Sequence, residues 1–391
     1  MEDEANNEVI DLAYEARKLS EDRYERQKRI PWWDQELLQE ANILVVGAGT
    51  LGNEVCKNLA LLGVGNITVI DYDIIEEVNL SRCVLMRSED KNRNKAEVVA
   101  ERMMELNRDI NVTPLDCDVV YEYGSANYRN FDVVLMTVDN LEARIWINRY
   151  CYMWNTPLID GGLNGLVCSV QVIIPPKTAC YECTLSNLDY RNIQSRYSCF
   201  GLLRNAPERK IAMVITSSAI AGGLMTQEAV KILHNKVPTL AGKKAIIDGD
   251  TEEFDVFSIA KRENCLGHYQ IEQNDAIYIE FSNKFTLREL KECVKNVIKD
   301  NNFLIEHDRS IIYGGKCPSC GKKREILGLV GKISESEMIC DKCGSILDIN
   351  TSGFLMLDDR TLEEHGVPNN HVLTLHLSDG SFKYIIPEKV K

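Results

Sequence analysis

The sequence predicts an α/β fold: a Rossmann-like, mostly parallel sheet with flanking helices, followed by a small C-terminal α+β domain with an inserted zinc ribbon. Three observations carry this expectation. The apolar run Ile43–Ala48 passes through Gly47, Gly49 and Gly52 (G-x-G-x-x-G) into a helical pattern, then into a second run at Asn66–Ile70. Cys317, Cys320, Cys340 and Cys343 form two C-x-x-C pairs, with nineteen residues between Cys320 and Cys340. The pattern also changes past about Asn274, where short strands and a single capped helix replace longer alternation.

Each element has a local cause. Glycine lets backbone approach a phosphate closely, while N–H groups at a helix start point at it. Leu51, Val55, Leu59 and Leu62 share one face of the helix after the turn. The second strand ends in Asp71, an acid placed to bind ribose hydroxyls. Taken alone this reads as a nucleotide site, with an NAD enzyme as the default. Downstream, Asn79 and Arg82 are spaced for one helical turn, and Lys95 opens a helix carrying Ala96, Val99, Met103 and Leu106. An amide and two cations suit a triphosphate and have no role in an NAD site. A strand over Phe131–Val138 ends in Asp139-Asn140, with Arg144 and Asn148 following at helical spacing. A carboxylate at that strand end is where a magnesium ligand belongs.

Composition narrows the class. At 391 residues the chain has room for two or three domains. A net charge of −14 argues against nucleic acid as the main partner and against anionic membrane. No apolar run approaches the ~20 residues of a spanning helix, and the acidic start MEDEANNE is not expected to be a signal peptide. Fourteen cysteines are then expected as thiols and metal ligands in a reducing, cytoplasmic setting. The first forty residues read as helical and charged. Trp32 and Trp33 beside Pro31 suggest docking, while Arg23 and Arg26 have a solvated helix face as their plain alternative.

The order R-Y-x-R-Q, G-x-G-x-x-G, D-x-D, N-L-x-R, K-A and D-N-x-x-x-R, from about Arg23 to about His268, resembles the enzymes that adenylate ubiquitin and ubiquitin-like proteins. Their relatives activate the sulfur carriers of molybdopterin and thiamine synthesis. The resemblance implies a domain over residues 1–271 that binds ATP and magnesium, and a second domain over 272–391. It implies that Gly47, Gly49, Thr50 and Gly52 line the nucleotide, with Asp71 on the ribose. Asn79, Arg82 and Lys95 would hold phosphates, Asp139 magnesium with Asn140 beside it, and Arg26 would reach the partner subunit's site. Cys83 stands where the family has glutamine, and Asn92 where glycine precedes K-A; asparagine tolerates the positive φ this place needs.

The same resemblance makes Pro175–Cys183 a loop crossing over the carrier's tail. Its Cys180 and Cys183 would share a zinc with Cys265 and His268, a C-x-x-H where the family shows C-x-x-C; a Cys3His site is chemically sound. Cys199, between Arg196 and Arg204, falls where relatives carry the thioester-forming cysteine; a small buried hydrophobe is its plain alternative. Cys56, Cys83, Cys117, Cys151, Cys168 and Cys293 read as core. In the C-terminal part, Thr286 with Glu289 caps a helix and FLIEHDRSIIYGG reads as two short strands. The ribbon, at about 315–348, is inserted in a unit placed like the ubiquitin-fold domain that recruits conjugating enzymes.

The expected function is activation of a ubiquitin-like protein ending in glycine, by a homodimer using ATP, Mg2+ and two Zn2+ per chain. A thioester on Cys199 would then pass to a conjugating enzyme. Sulfur-carrier adenylation, an NAD-dependent dehydrogenase and a non-catalytic partner subunit are the rival readings.

Overall fold

The structure, a computed structural model, describes residues 22–194 and 212–388. Two short helices, α1 (Glu25–Lys28) and α2 (Gln35–Glu40), lead into the first sheet. It is built from β1 (Asn42–Val46), β2 (Asn66–Ile70), β3 (Asn111–Leu115), β4 (Val133–Met136), β5 (Leu158–Asn164), β6 (Val167–Ile173), β7 (Lys243–Asp248) and β8 (Glu253–Ser258). The spatial order is β3-β2-β1-β4-β5-β6-β7-β8. Pairing is parallel from β3 to β5 and antiparallel from β5 to β8.

Both faces of the parallel part are covered, which is why its strands read as unbroken apolar runs. Ile43 and Val45 of β1 face a core shared with α3 (Thr50–Leu62), α4 (Lys95–Leu106) and α7 (Ile215–Leu233). Leu44 and Val46 face the opposite core, with Ile147, Tyr150 and Tyr152 of α5 (Leu141–Met153). A further helix, α6 (Asn187–Gln194), follows the crossover segment. No described helix is long and apolar enough to cross a membrane.

The C-terminal sheet contains β9 (Ala276–Ile279), β10 (Leu304–Lys316), β11 (Lys323–Leu329), β12 (Asp348–Phe354), β13 (Leu373–His376) and β14 (Phe382–Pro387). Its order is β11-β10-β13-β14-β9, with β12 on β10 and the outermost pair, β14 and β9, parallel. Helix α8 (Leu287–Val297) lays Leu287, Leu290 and Val294 on Ile277, Ile305, Leu375 and Ile385. Its capping box is formed as expected: Glu289 accepts the Thr286 N–H at 2.7 Å and Thr286 Oγ1 accepts the Glu289 N–H at 3.3 Å. FLIEHDRSIIYGG, expected as two strands, is one long strand instead. Its register slips between Glu306 and Ile311 and again beside Gly314, at φ +98°, so bulges stand where a break was expected.

The first of these bulges joins the two sheets. Tyr150 of α5 donates its hydroxyl to Asp308 Oδ2 at 2.8 Å. The Arg309 guanidinium lies 4.0 Å from the Trp146 ring centre and 4.7 Å from that of Tyr121. His307 stacks on His371 at 4.8 Å. These histidines and Asp308 sit close enough together for a metal, yet each Nδ1 accepts a backbone N–H, from Arg309 at 2.9 Å and from Ser125 at 3.3 Å. The Nδ1 lone pair of each ring is thus already engaged, and His371 Nε2 lies 3.2 Å from Asp308 Oδ1.

Burial pushes His307 down to about 3, with His371 and Arg309 adding to the effect and Asp308 opposing it. An unfolded histidine takes its proton near pH 6.5. Between those values the unfolded chain binds more protons, so stability falls as pH falls through that window. The melting temperature is expected to drop between about pH 7 and about pH 5, and to drop less in His307→Gln. Equal slopes, followed by scanning calorimetry, would mean that His307 protonates in the folded chain.

Candidate nucleotide site and metal sites

A cavity of about 360 Å³ opens at the C-terminal ends of β1 to β4, the crevice in which open α/β sheets bind ligands. Gly47, at φ +99°, turns the chain out of β1. Thr137 Oγ1 lies 2.9 Å from the Val46 carbonyl and 2.7 Å from that of Gly47, tying the turn to the end of β4. Gly49 caps α3, so Gly49 and Thr50 present helix-start N–H groups on the cavity wall. Gly52 does not line the cavity, contrary to expectation. A Cβ there would stand 1.9 Å from the Gly47 carbonyl oxygen, so its role is to let helix and turn touch.

Asp71 follows β2 and lines the next stretch of wall. Its Oδ2 accepts the Ala48 N–H at 2.7 Å and its Oδ1 the Asp73 N–H at 2.9 Å. Burial raises its pKa, opposed chiefly by Lys95. Lys95 reaches Asp73 at 2.7 Å; burial would lower its pKa, but Asp71 and Asp73 outweigh that and raise it. Asn79 sits on the wall with its carbonyl oxygen accepting the Glu76 N–H at 2.8 Å. Arg82 is fastened to the Val78 carbonyl, while its buried Nε has no hydrogen-bond partner among the described residues. Such a donor calls for an anion.

Asp139 and Asn140 complete the opposite wall. Asn140 spends its carbonyl oxygen on the Ala143 N–H at 2.9 Å, as the cap of α5. Arg144 does not float free in the cavity. It pairs with buried Asp160 and donates to the carbonyls of Val138 at 2.5 Å and Gly161 at 2.8 Å, bracing the strand end that bears Asp139. Asp160 and Thr137 were not singled out from the sequence; an acid inside the apolar strand Leu158-Ile159-Asp160 was the available signal. Cys83 is buried behind the wall, 4.0 Å from Thr50 Oγ1. Cys117, expected in the core, packs against it and also lines the cavity; burial, with Glu122 and Asp118 next, pushes its thiol up to about 12. Arg26 does not line its own chain's cavity, and its side chain is 88% exposed. Arg23, by contrast, is not merely solvated: it donates to the Leu106 carbonyl at 2.9 Å.

The crossover cysteines meet the downstream pair. Cys180 and Cys183 sulfurs are 3.9 Å apart, Cys180 and Cys265 3.6 Å, and Cys183 lies 3.2 Å from His268 Nε2. Sulfurs held about 2.3 Å from a tetrahedral zinc would be roughly 3.8 Å apart, so the four residues fit that ion. The loop between them is anchored by buried Glu182, which accepts from Arg149 at 2.9 and 2.8 Å and from Tyr190 at 2.8 Å. Arg262 donates to the carbonyls of Glu182, Cys183 and Leu185. The ribbon is two matching knuckles. Gly321 and Gly344, both at positive φ, donate to the carbonyls of Cys317 and Cys340 at 2.9 and 2.8 Å. Cys317 and Cys343 sulfurs are then 3.3 Å apart, those of Cys320 and Cys340 3.7 Å. Cys199, with Arg196 and Arg204, lies outside the described residues.

The ThiF family model matches residues 24–267, and the chain belongs to that family. It is 41% identical over 147 residues to SUMO-activating enzyme subunit 2 of Dictyostelium discoideum, covering 37% of this chain and 22% of that one. It is 39% identical over 175 residues to the NEDD8-activating enzyme E1 catalytic subunit of Caenorhabditis elegans, 40% of each chain. With the sulfur carrier protein ThiS adenylyltransferase of Escherichia coli it shares 30% over 232 residues, 59% of this chain and 87% of that one. The chain thus spans well under half of the SUMO- and NEDD8-activating relatives. A crystal structure of E. coli MccB with AMPCPP and MccA superposes with a TM-score of 0.53 at 25% identity, over 63% of this chain and 74% of that one.

Elemental analysis is expected to find two zinc ions per chain. His268→Ala should lose the first and Cys320→Ser the second, each leaving the other in place. One zinc in the wild type, unchanged by His268→Ala, would remove the crossover site.

Proposed function

We propose that this chain adenylates the C-terminal carboxylate of a ubiquitin-like protein ending in glycine, using ATP and magnesium, and then carries the acyl group as a thioester on Cys199. The observation that carries the first step is the cavity wall itself, which the glycine turn, Arg82, Lys95 and Asp139 line together. A carboxylate is already ionised at neutral pH, so the step needs no side-chain base. A carboxylate oxygen attacks the α-phosphorus, the acyl–phosphate bond forms, and pyrophosphate leaves. The protein's work is alignment and neutralisation of phosphate charge. Arg82, Lys95 and the N–H groups of Gly49 and Thr50 hold the phosphates, and Asp71 holds the ribose. Asp139 would hold magnesium, which supplies further positive charge when bound. In the second step the Cys199 thiolate attacks the acyl carbon and AMP departs, leaving a thioester for a conjugating enzyme's cysteine.

The named relatives support the class: SUMO- and NEDD8-activating enzymes, a ThiS adenylyltransferase, and an MccB crystallised with AMPCPP. Both zincs would be structural, since four protein ligands leave no place for water. We further propose a homodimer in which exposed Arg26 serves the neighbour's cavity. Sulfur-carrier adenylation is the second reading, favoured by the 87% coverage of the ThiS adenylyltransferase; under it Cys199 forms no thioester.

Asp139→Ala should lower carrier-dependent ATP–pyrophosphate exchange by more than about a hundredfold, and exchange at the wild-type rate would remove Asp139 from the mechanism. Mixing Arg26→Ala with Asp139→Ala chains should restore one working site per heterodimer; if subunits exchange and the mixture stays inactive, Arg26 does not act across the dimer. Cys199→Ala should keep exchange but lose the thiol-sensitive carrier adduct on a non-reducing gel, and Cys199→Ser should trap a thiol-resistant ester. Wild-type exchange without any covalent adduct would favour the sulfur-carrier reading.

A further inference from the structure

The order of the strands fixes how a nucleotide lies. The glycine turn follows β1, the ribose acid Asp71 follows β2, and the next strand outward is β3. On the nucleotide reading of the cavity, phosphates at the turn and ribose at Asp71 carry the base onward to residues 117–119, which follow β3 and line that end. Ile70 and Val119 give it the apolar surface a ring requires.

The C-terminal unit holds the outer side of this same segment. Tyr121 lies under the Arg309 guanidinium at 4.7 Å, and Trp146 of α5 lies against it at 4.0 Å. Glu122 accepts from both Lys332 at 2.6 Å and the Asp118 N–H at 2.9 Å, linking the unit directly to a residue of the wall. Ser125 donates its N–H to His371 at 3.3 Å and accepts the Val372 N–H at 3.1 Å. At Gly124 even a Cβ would stand 2.0 Å from the Asn369 carbonyl oxygen, so the backbones are in contact. The chain from 117 to 125 is thus fixed to the pocket on one side and to the second sheet's unit on the other. We infer that the C-terminal unit is the backing of the base-side wall, and that Arg309 is a positioning residue for the base of the bound nucleotide.

Calorimetric titration of the full chain with ATP·Mg and, separately, with inorganic tripolyphosphate tests this. Tripolyphosphate fills only the phosphate end, so loss of the base-side wall weakens ATP alone. Arg309→Met should raise the Kd for ATP about tenfold and leave that for tripolyphosphate unchanged. Arg309→Lys, which keeps a cation between the rings, should recover part of the loss. Equal weakening of both ligands, or of neither, overturns the inference. If Arg309→Met does not fold, as judged by its zinc content, the surface pair replaces it. Lys332→Met should then weaken ATP selectively and Lys332→Arg, which keeps the cation on Glu122, should recover part of the loss; equal weakening of both ligands, or of neither, overturns the inference. A wild type that binds tripolyphosphate and ATP equally tightly also overturns it. A wild type that binds neither brings down the nucleotide reading, and this inference with it.

Discussion

The contact between Gly47 and residue 52 governs the first sheet's chemistry. With no side chain at Gly52, helix α3 closes on the Gly47 carbonyl at a distance that a methyl group would forbid. That approach brings the start of α3 onto the end of β1, and Thr137 then locks the turn from the β4 side. Everything else in the crevice is placed relative to this junction. Asp71 reaches Ala48 across it, and Asn53 bridges from its helix to the Ala48 carbonyl at 2.7 Å and to the Leu85 N–H at 2.9 Å, setting the chain that bears Cys83 and Arg82.

Helix α5 distributes that order through the molecule. Its first turn, with Asn140 and Arg144, belongs to the cavity. Asn148 and Arg149 hold the crossover loop, the former accepting the Tyr181 N–H at 2.8 Å, while Trp146 and Tyr150 face the second sheet. One rigid element thus touches the nucleotide cavity, the first metal cluster and the C-terminal unit.

This division explains what could be read from the sequence. The glycine turn, the capping box at Thr286 and the ribbon knuckles are encoded within a few residues, so their spacing reveals them. The crossover cluster was legible through the family resemblance, which joined the local pairs Cys180/Cys183 and Cys265/His268, and the fold brings the four together. Thr137 was not, since it matters through Gly47, 90 residues away, and Asp160 was not, since its partner Arg144 lies on a different element. Cys117 does pack against the core around α5, and because the end of β3 opens onto the crevice it also lines the cavity, a second role that its sequence position between Asp116 and Asp118 did not reveal. The bulged strand β10 carries His307, Asp308 and Arg309, a polar stretch that reads as a break; Asp308 and Arg309 are polar because they meet Tyr150 and Trp146 of α5, while His307 stacks on His371.

The second sheet has a consequence for the order in which the protein becomes competent as it is synthesised. Strand β14 does not lie at the sheet's rim but between β13 and β9, and β9 has no other strand partner among the described residues. A ribosome that has released the chain only as far as residue 380 has delivered the whole first sheet and the entire ribbon, while β9 waits unpaired. Early-made segments fold first during synthesis, so the glycine turn and cavity floor form well before the surface that clasps residues 121–125. Arg129 marks the closing moment, donating to the Pro387 carbonyl at 2.7 Å once β14 has slotted in. Without β14 the crevice would keep its glycine turn and floor while β9 lost its strand partner and Arg129 its acceptor.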